Sequence, residues 1–155
     1  MAKCIFLTGM SGTGKSTTIR ALAARGYRTV DMDDPGWSEI GPDGDWRWRE
    51  ARLQALLASL GRDDVLFLSG CAENQVKFYD HFAKIILLSV PTPVLVERLQ
   101  TRTTNTYGKD PAELAETLGY LETVEPLLRQ RADLEIDTRA PLEQVVQTLV
   151  GLLDD

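Results

Sequence analysis

Residues 9–16, Gly-Met-Ser-Gly-Thr-Gly-Lys-Ser, leave this chain few architectures. They fit the phosphate-loop pattern G-x-x-x-x-G-K-[ST], and their flanks fit it too. Lys3 to Thr8 is a short apolar run of the kind that forms a buried parallel strand. Thr17 to Ala24 reads as a helix with Ile19, Leu22 and Ala23 on one face and Gly26 as its stop. Strand, glycine loop and helix start together form an anion cradle, in which backbone N–H groups and the helix dipole point at the same spot. Gly9, Gly12 and Gly14 let the main chain bend and approach phosphate oxygens. Lys15 is expected to reach the β- and γ-phosphates and Ser16 to ligate Mg²⁺, with Ser11, Thr13 and Thr17 completing the ATP contacts.

The remaining chain alternates. Tyr27 to Val30 reads as a second strand ending in Asp31-Met32-Asp33-Asp34, and Pro35-Gly36 breaks it. Trp37 to Asp45 is loop-like. Trp46 to Leu60 reads as one helix with Trp46, Leu53, Leu56, Leu57 and Leu60 inward. Val65 to Leu68 and Lys84 to Val90 are further buried strands, with a short helix and a loop expected over Ala72 to Phe82. A helix from Pro93 to about Arg102 leads into a polar loop, Thr103 to Lys109, expected to be mobile. Asp110-Pro111-Ala112-Glu113 is a good helix start, and Pro126 should kink or end that helix. Asp133 to Ile136-Asp137 is a fifth strand, and Pro141 opens a last amphipathic helix. Such alternation specifies an α/β fold, a parallel sheet with helices on both faces. Ligands then bind beyond the carboxyl ends of the strands.

At 155 residues one domain is expected, 1–155. The formal charge of -6 argues against a nucleic-acid surface. Two isolated cysteines, Cys4 and Cys71, suggest reduced thiols and a cytoplasmic setting. With His81 the only histidine, a His/Cys zinc site is not expected. The N-terminal Met-Ala-Lys-Cys runs straight into the first strand, leaving no room for a signal peptide. No apolar run approaches membrane-spanning length.

Further candidate stretches fall at strand ends: Asp31 to Asp34, Ser69 to Cys71 and Ser89 to Pro91. Asp31 and Asp33 alternate in phase. A carboxylate there can hold Mg²⁺ or its waters, or take a proton from an acceptor hydroxyl. Asp33 is assigned as base or orienter and as metal partner, with Asp31 and Asp34 as neighbours of the metal and the acceptor. Arg98, Arg102 and Lys109 flank or occupy the polar loop, and a closing loop would bring these cations to a transferring phosphoryl group. Ser69-Gly70-Cys71 follows the third strand. Trp37 and Trp48 are candidate acceptor contacts, while Trp46 reads as core because it is in phase with Leu53.

With these residues placed, the chain resembles the small P-loop kinases: shikimate kinase, gluconate kinase and the adenylate-kinase-like group. Gly9 to Ser16 carries most of the likeness. Glu97-Arg98-Leu99 to Arg102 looks like the helix leading to a lid, and Arg131 to Thr138 looks like the last strand and adenine-side loop. The resemblance implies a five-stranded sheet of order 2-3-1-4-5 and ATP with Mg²⁺. It also implies an acceptor segment at about 32–62, a lid at about 102–112 and Thr138 beside the adenine. Two places depart from shikimate kinases: Ser69-Gly70-Cys71 replaces a glycine triplet, and Val124 and Glu125 stand where a substrate-anchoring arginine is expected.

Three functions remain open at this point. The first is transfer of a γ-phosphoryl group from ATP to a hydroxyl of a small molecule, with Lys15, Asp33 and Arg102 as the catalytic set. The second is a nucleoside monophosphate kinase, for which Arg47, Arg49 and Arg52 would supply cations. The third is a nucleotide-binding switch. The expected partner is a small-molecule acceptor, with no nucleic acid and no membrane, in a monomer or weak homodimer.

Overall fold

A computed structural model describes residues 3–103 and 105–154. Thr104, which falls in the expected polar loop, and Met1 and Ala2, on which the signal-peptide argument rests, lie outside the described residues. The first strand, β1 (Lys3–Thr8), is at the centre of a sheet with β2 (Arg28–Asp31), β5 (Val65–Ser69), β6 (Lys84–Ser89) and β7 (Leu134–Asp137). Their order is β2-β5-β1-β6-β7, and every pairing is parallel. Counted along the parallel strands alone, this is 2-3-1-4-5, as the resemblance implies.

Strand alternation divides the core between the two sheet faces. Cys4 and Phe6 point to one side, into a cluster with Met32, Leu53, Leu66 and Leu68. Ile5 and Leu7 point to the other, where Ile19 and Leu22 of α1 (Lys15–Ala24) meet Val145, Val146 and Leu149 of α6 (Leu142–Gly151). Burial of the Cys4 side chain pushes its thiol pKa up to about 12, so it stays protonated and behaves as a small apolar group.

The segment between β2 and β5 departs from expectation. It contains a two-stranded antiparallel hairpin, β3 (Ser38–Ile40) with β4 (Trp46–Trp48), and α2 starts only at Glu50 and ends at Ser59. The Gly41–Asp45 turn closes the hairpin, with Gly44 at φ 84. Period-two placement now governs the tryptophans. Trp48 is the core residue, 1% exposed and edge-on to Phe6 at 5.4 Å between ring centres, whereas Trp46 is 60% exposed. Helical phase with Leu53 does not apply to Trp46, because the helix has not yet begun.

Asn74 fastens β4 to the body. The Trp48 N–H donates to Asn74 Oδ1 at 3.0 Å, and Asn74 Nδ2 donates to the Trp48 carbonyl at 3.0 Å and to Glu50 Oε2 at 3.0 Å. The amide thus imitates a neighbouring strand. It sits in a 3₁₀ segment, Glu73–His81, that runs under the hairpin.

The second half positions the cleft. α3 (Thr92–Thr101) follows β6, then the polar loop, then α4 (Pro111–Thr123). Asp110 caps α4 by accepting from the Ala112 N–H at 2.7 Å. α5 (Glu125–Arg131) begins beside Pro126 and returns the chain to β7. Among the described residues, no helix is long and apolar enough to cross a membrane.

Replacing Asn74 by Ala leaves two buried main-chain groups of Trp48 without their partners. The expected cost is about 1–3 kcal/mol, measured as a lower urea midpoint, and an unchanged midpoint would contradict this account of the hairpin's attachment.

Candidate active site

The loop between β1 and α1 has the geometry of an anion cradle. Gly14 caps α1 with φ 97, a left-handed conformation that aims the first N–H groups of the helix at the loop. Thr13 turns its hydroxyl inward to the Met10 carbonyl at 2.7 Å. Lys15 is 8% exposed, and its ammonium donates to the carbonyls of Gly9 at 2.7 Å and Met10 at 3.1 Å. A buried cation satisfied by backbone oxygens, with helix amides beside it, fits a polyphosphate.

Contacts from distant parts of the chain hold the loop. The Thr138 hydroxyl donates to the Thr13 carbonyl at 2.7 Å. Arg98 donates to Thr138 Oγ1 at 2.9 Å, to the Thr138 carbonyl at 2.8 Å and to the Gly12 carbonyl at 3.4 Å. The turn after β7 and the helix α3 are thereby attached to the cradle from one side. A cleft of about 820 Å³ opens there, lined by the cradle, by Arg98, Arg102 and Asp33, and by Thr138, Ala140, Leu142 and Val145. Its last members give one end an apolar character suited to a flat base.

Arg102 connects the polar loop to the cradle. Its Nη2 donates to Ser11 Oγ at 3.1 Å and to the Tyr107 carbonyl at 2.7 Å, and its Nε donates to the Asn105 carbonyl at 3.1 Å. Burial lowers its pKa from the ordinary arginine value, but the group stays charged. The loop is further fixed where the Tyr107 hydroxyl donates to Glu116 at 2.5 Å; burial and that contact push the phenol pKa up to about 12. Lys109, the third expected cation, instead donates to the Gln100 carbonyl at 2.8 Å and does not line the cleft.

β2 ends at Asp31 and Asp33 lies in the turn that follows, so the expected strand phase does not extend to Asp33, and the two acids have different surroundings. Asp31 accepts from the Ser16 hydroxyl at 2.9 Å and from the Asp33 N–H at 3.0 Å. Asp31 is therefore the carboxylate beside the expected metal-side hydroxyl, in keeping with its expected place as a neighbour of the metal, whereas Asp33, also expected as a metal partner, does not bond Ser16. Asp33 faces the cleft and accepts a backbone hydrogen bond from Cys71. Much of Asp33 is open to solvent, yet protein crowds its carboxylate. That dehydration raises its pKa, Lys15 opposes the rise, and Asp31 and Asp34 add to it. Asp34 is also raised, chiefly by dehydration and then by Asp31.

The other expected acceptor contacts divide. Trp48 and Ser69 are corrected: at 1% and 0% exposure they are core, and neither presents a side chain to a ligand. Gly70 is packed so that a β-carbon would lie 2.9 Å from Met32 Cβ and 3.0 Å from the Trp48 ring. Cys71 is half-buried beside Asp33, and burial raises its thiol pKa. Trp37 is half-buried beneath the Arg52 guanidinium, 4.0 Å from the ring centre. Asn74 and the pairing of Arg98 with Thr138 were missed. The only hint in sequence was a polar residue in a stretch flanked by apolar ones.

Comparison with known proteins agrees with the fold. The sequence profile of a family described as an AAA domain matches residues 5–119. The chain is 34% identical over 162 residues to a shikimate kinase of Thermosynechococcus vestitus, covering 96% of this chain and 86% of that protein. It is 29% identical to a nucleotide-binding protein of Acidiphilium cryptum over 97% of this chain, but spans only 50% of that relative. The crystal structure of a shikimate kinase from Bacteroides thetaiotaomicron superimposes with a TM-score of 0.70 at 26% identity, over 99% of both chains. The chain belongs to the family described as an AAA domain and to the small P-loop kinases that include shikimate kinase.

Proposed function

We propose that this protein moves the γ-phosphoryl group of ATP, with Mg²⁺, to a hydroxyl of a small molecule. The observation that carries this proposal is the placement of Asp33, which lines the same cleft as Lys15 and Ser16. A bound Mg²⁺ would offset charge on the β- and γ-phosphate oxygens.

The chain's own groups then divide the work. Ser16 and Asp31, 2.9 Å apart, would hold the metal and its waters. Lys15 would leave the Gly9 and Met10 carbonyls for the phosphates. Arg102 would neutralise charge on the transferred group, already oriented by Ser11 and the loop carbonyls. Asp33 would accept the hydrogen bond of the acceptor hydroxyl and take its proton as the new P–O bond forms. Arg98, Thr138 and the apolar end of the cleft would take the nucleoside. Lys109 contributes only if the loop rearranges around it. The free thiols of Cys4 and Cys71 support a reducing, cytoplasmic setting.

A nucleoside monophosphate acceptor is less well supported. It would need free cations on the acceptor side, and Arg47, Arg49 and Arg52 are turned elsewhere. Arg47 lies 3.5 Å from Asp43, Arg49 Nε donates to the Ser38 carbonyl at 3.4 Å, and Arg52 covers Trp37.

The Asp33→Asn variant is expected to lose about 10²–10⁴-fold in acceptor-dependent turnover while ADP binds as before; undiminished kcat would overturn the base assignment. Because the ionised Asp33 is disfavoured in the fold, its stability contribution is lost as pH rises through its raised pKa. The same variant should therefore keep or raise Tm at pH 7. In wild type, kcat/KM should fall as pH drops through that pKa, on an acid limb displaced above the ordinary aspartate value of about 3.9. For Arg102→Ala, kcat is expected to fall about 10²–10³-fold with a smaller change in nucleotide affinity, measured by steady-state kinetics and nucleotide titration.

A further inference from the structure

The polar loop between α3 and α4 carries a single aromatic residue, Tyr107, which has no task in the transfer described above. It is half-buried where Asn105 and Thr106 before it are exposed. Its hydroxyl leaves the loop altogether and donates to Glu116 Oε1 at 2.5 Å. The Thr117 hydroxyl lies 3.5 Å from the same phenol oxygen. Thr117 is 1% exposed and is itself fixed, donating to the Glu113 carbonyl at 3.2 Å. The phenol therefore ends on a regular helix of 13 residues, which is a far stiffer support than the loop.

The main chain of the same residue holds Arg102. The Tyr107 carbonyl accepts from Nη2 at 2.7 Å, and the Asn105 carbonyl accepts from Nε at 3.1 Å. Asn105 is tied to Tyr107 in turn, its Oδ1 accepting the Tyr107 N–H at 2.9 Å. The loop is thus wound around the guanidinium, whose Nη2 also reaches Ser11 Oγ at 3.1 Å. Among the described residues Nη1 has no partner. Arg102 and Ser11 line the cleft, and Tyr107 does not. A long side chain such as arginine loses much rotamer freedom when held in one place, so it stays aimed only if its partners are themselves fixed.

The return of the loop to α4 is fastened separately. Gln100 Nε2 donates to the Gly108 carbonyl at 2.9 Å, and Lys109 Nζ donates to the Gln100 carbonyl at 2.8 Å. The Gly108 N–H donates to Glu113 Oε1 at 3.2 Å. These contacts tie residues 108 and 109 to both helices without the phenol. The carbonyls that hold Arg102 come earlier, at 105 and 107, and the bond from Tyr107 to Glu116 joins that stretch to α4.

We infer that Tyr107 is a positioning residue for phosphoryl transfer: braced on α4 through Glu116, it fixes the carbonyls that aim the Arg102 guanidinium over the phosphate loop. This rests on the role proposed above for Arg102 and goes beyond it by naming what holds that cation ready. An aimed cation stabilises a transferring phosphoryl group without having to reorganise at the moment of reaction.

The test needs no acceptor. Affinity for ADP with Mg²⁺ is compared, by calorimetry on the full chain, with affinity for ADP, Mg²⁺ and fluoroaluminate, a mimic of the phosphoryl group in transfer. Wild type is expected to gain affinity from fluoroaluminate. Tyr107→Phe and Glu116→Ala should each cut that gain about tenfold, with ADP affinity and thermal midpoint unchanged. In an Arg102→Ala background, where the residual gain comes from Lys15 and Mg²⁺, Tyr107→Phe should change nothing further. The inference is overturned if either single variant keeps the full gain, or if Tyr107→Phe lowers the gain again when Arg102 is already absent, since the phenol would then serve the fold at large. Loss of the gain in Arg102→Ala but not in Tyr107→Phe sinks the brace alone. No gain in wild type sinks the phosphoryl role of Arg102, and the brace with it.

Discussion

A positively charged lysine held at 8% exposure is the constraint on which this structure turns. Removing an ammonium from water is costly unless oxygen atoms replace the lost solvent. Here the Gly9 and Met10 carbonyls do so, and they can because the loop is wound tightly around the side chain. That winding depends on β1 being a central strand, paired on both sides, and on α1 starting at the left-handed Gly14. It depends as well on Thr138 and Arg98, which reach the loop from regions 125 and 86 residues away in sequence. The site is thus a product of the whole sheet and cannot be detached from it.

The proposed acceptor side is built on different physics. Its frame is a hairpin that belongs to no larger sheet, attached through Trp48 in the core and through the Asn74 amide. Its polar end is acidic. Asp31 and Asp33 are two residues apart, yet one is drawn to Ser16 and the other to the Cys71 N–H. Two carboxylates with different partners can take different tasks, one beside a metal and one beside a hydroxyl, and their mutual repulsion helps keep the second pKa high.

Much of this was readable from residues alone, for local reasons. The run Lys3 to Thr8, the glycines at 9, 12 and 14 and the face of Ile19 and Leu22 each carry their own signal within a few residues. Parallel pairing followed because strands alternate with helices, whereas the strand order came from the resemblance to the small P-loop kinases. Asp110 and Pro111 announced a helix start that the structure places within a residue. The hairpin was different. Over so short a segment, the spacing of Trp46 and Leu53 suits a helix, whereas Trp46 and Trp48 suit a strand, and local pattern does not choose between them. The core decided, by admitting Trp48 against Phe6 and Gly70 and leaving Trp46 outside. Asn74 and the pairing of Arg98 with Thr138 were hidden for another reason: their meaning lies in contacts across the fold, which no window of sequence contains.

The central claim is that the buried lysine and the loop around it grip a polyphosphate. Isothermal titration of the folded chain with ATP and Mg²⁺, run beside a Lys15→Met variant, tests it most directly. Saturable heat from wild type and its loss from a variant with a wild-type thermal midpoint is the result predicted. Equal heats from both proteins, or none from wild type, would contradict it.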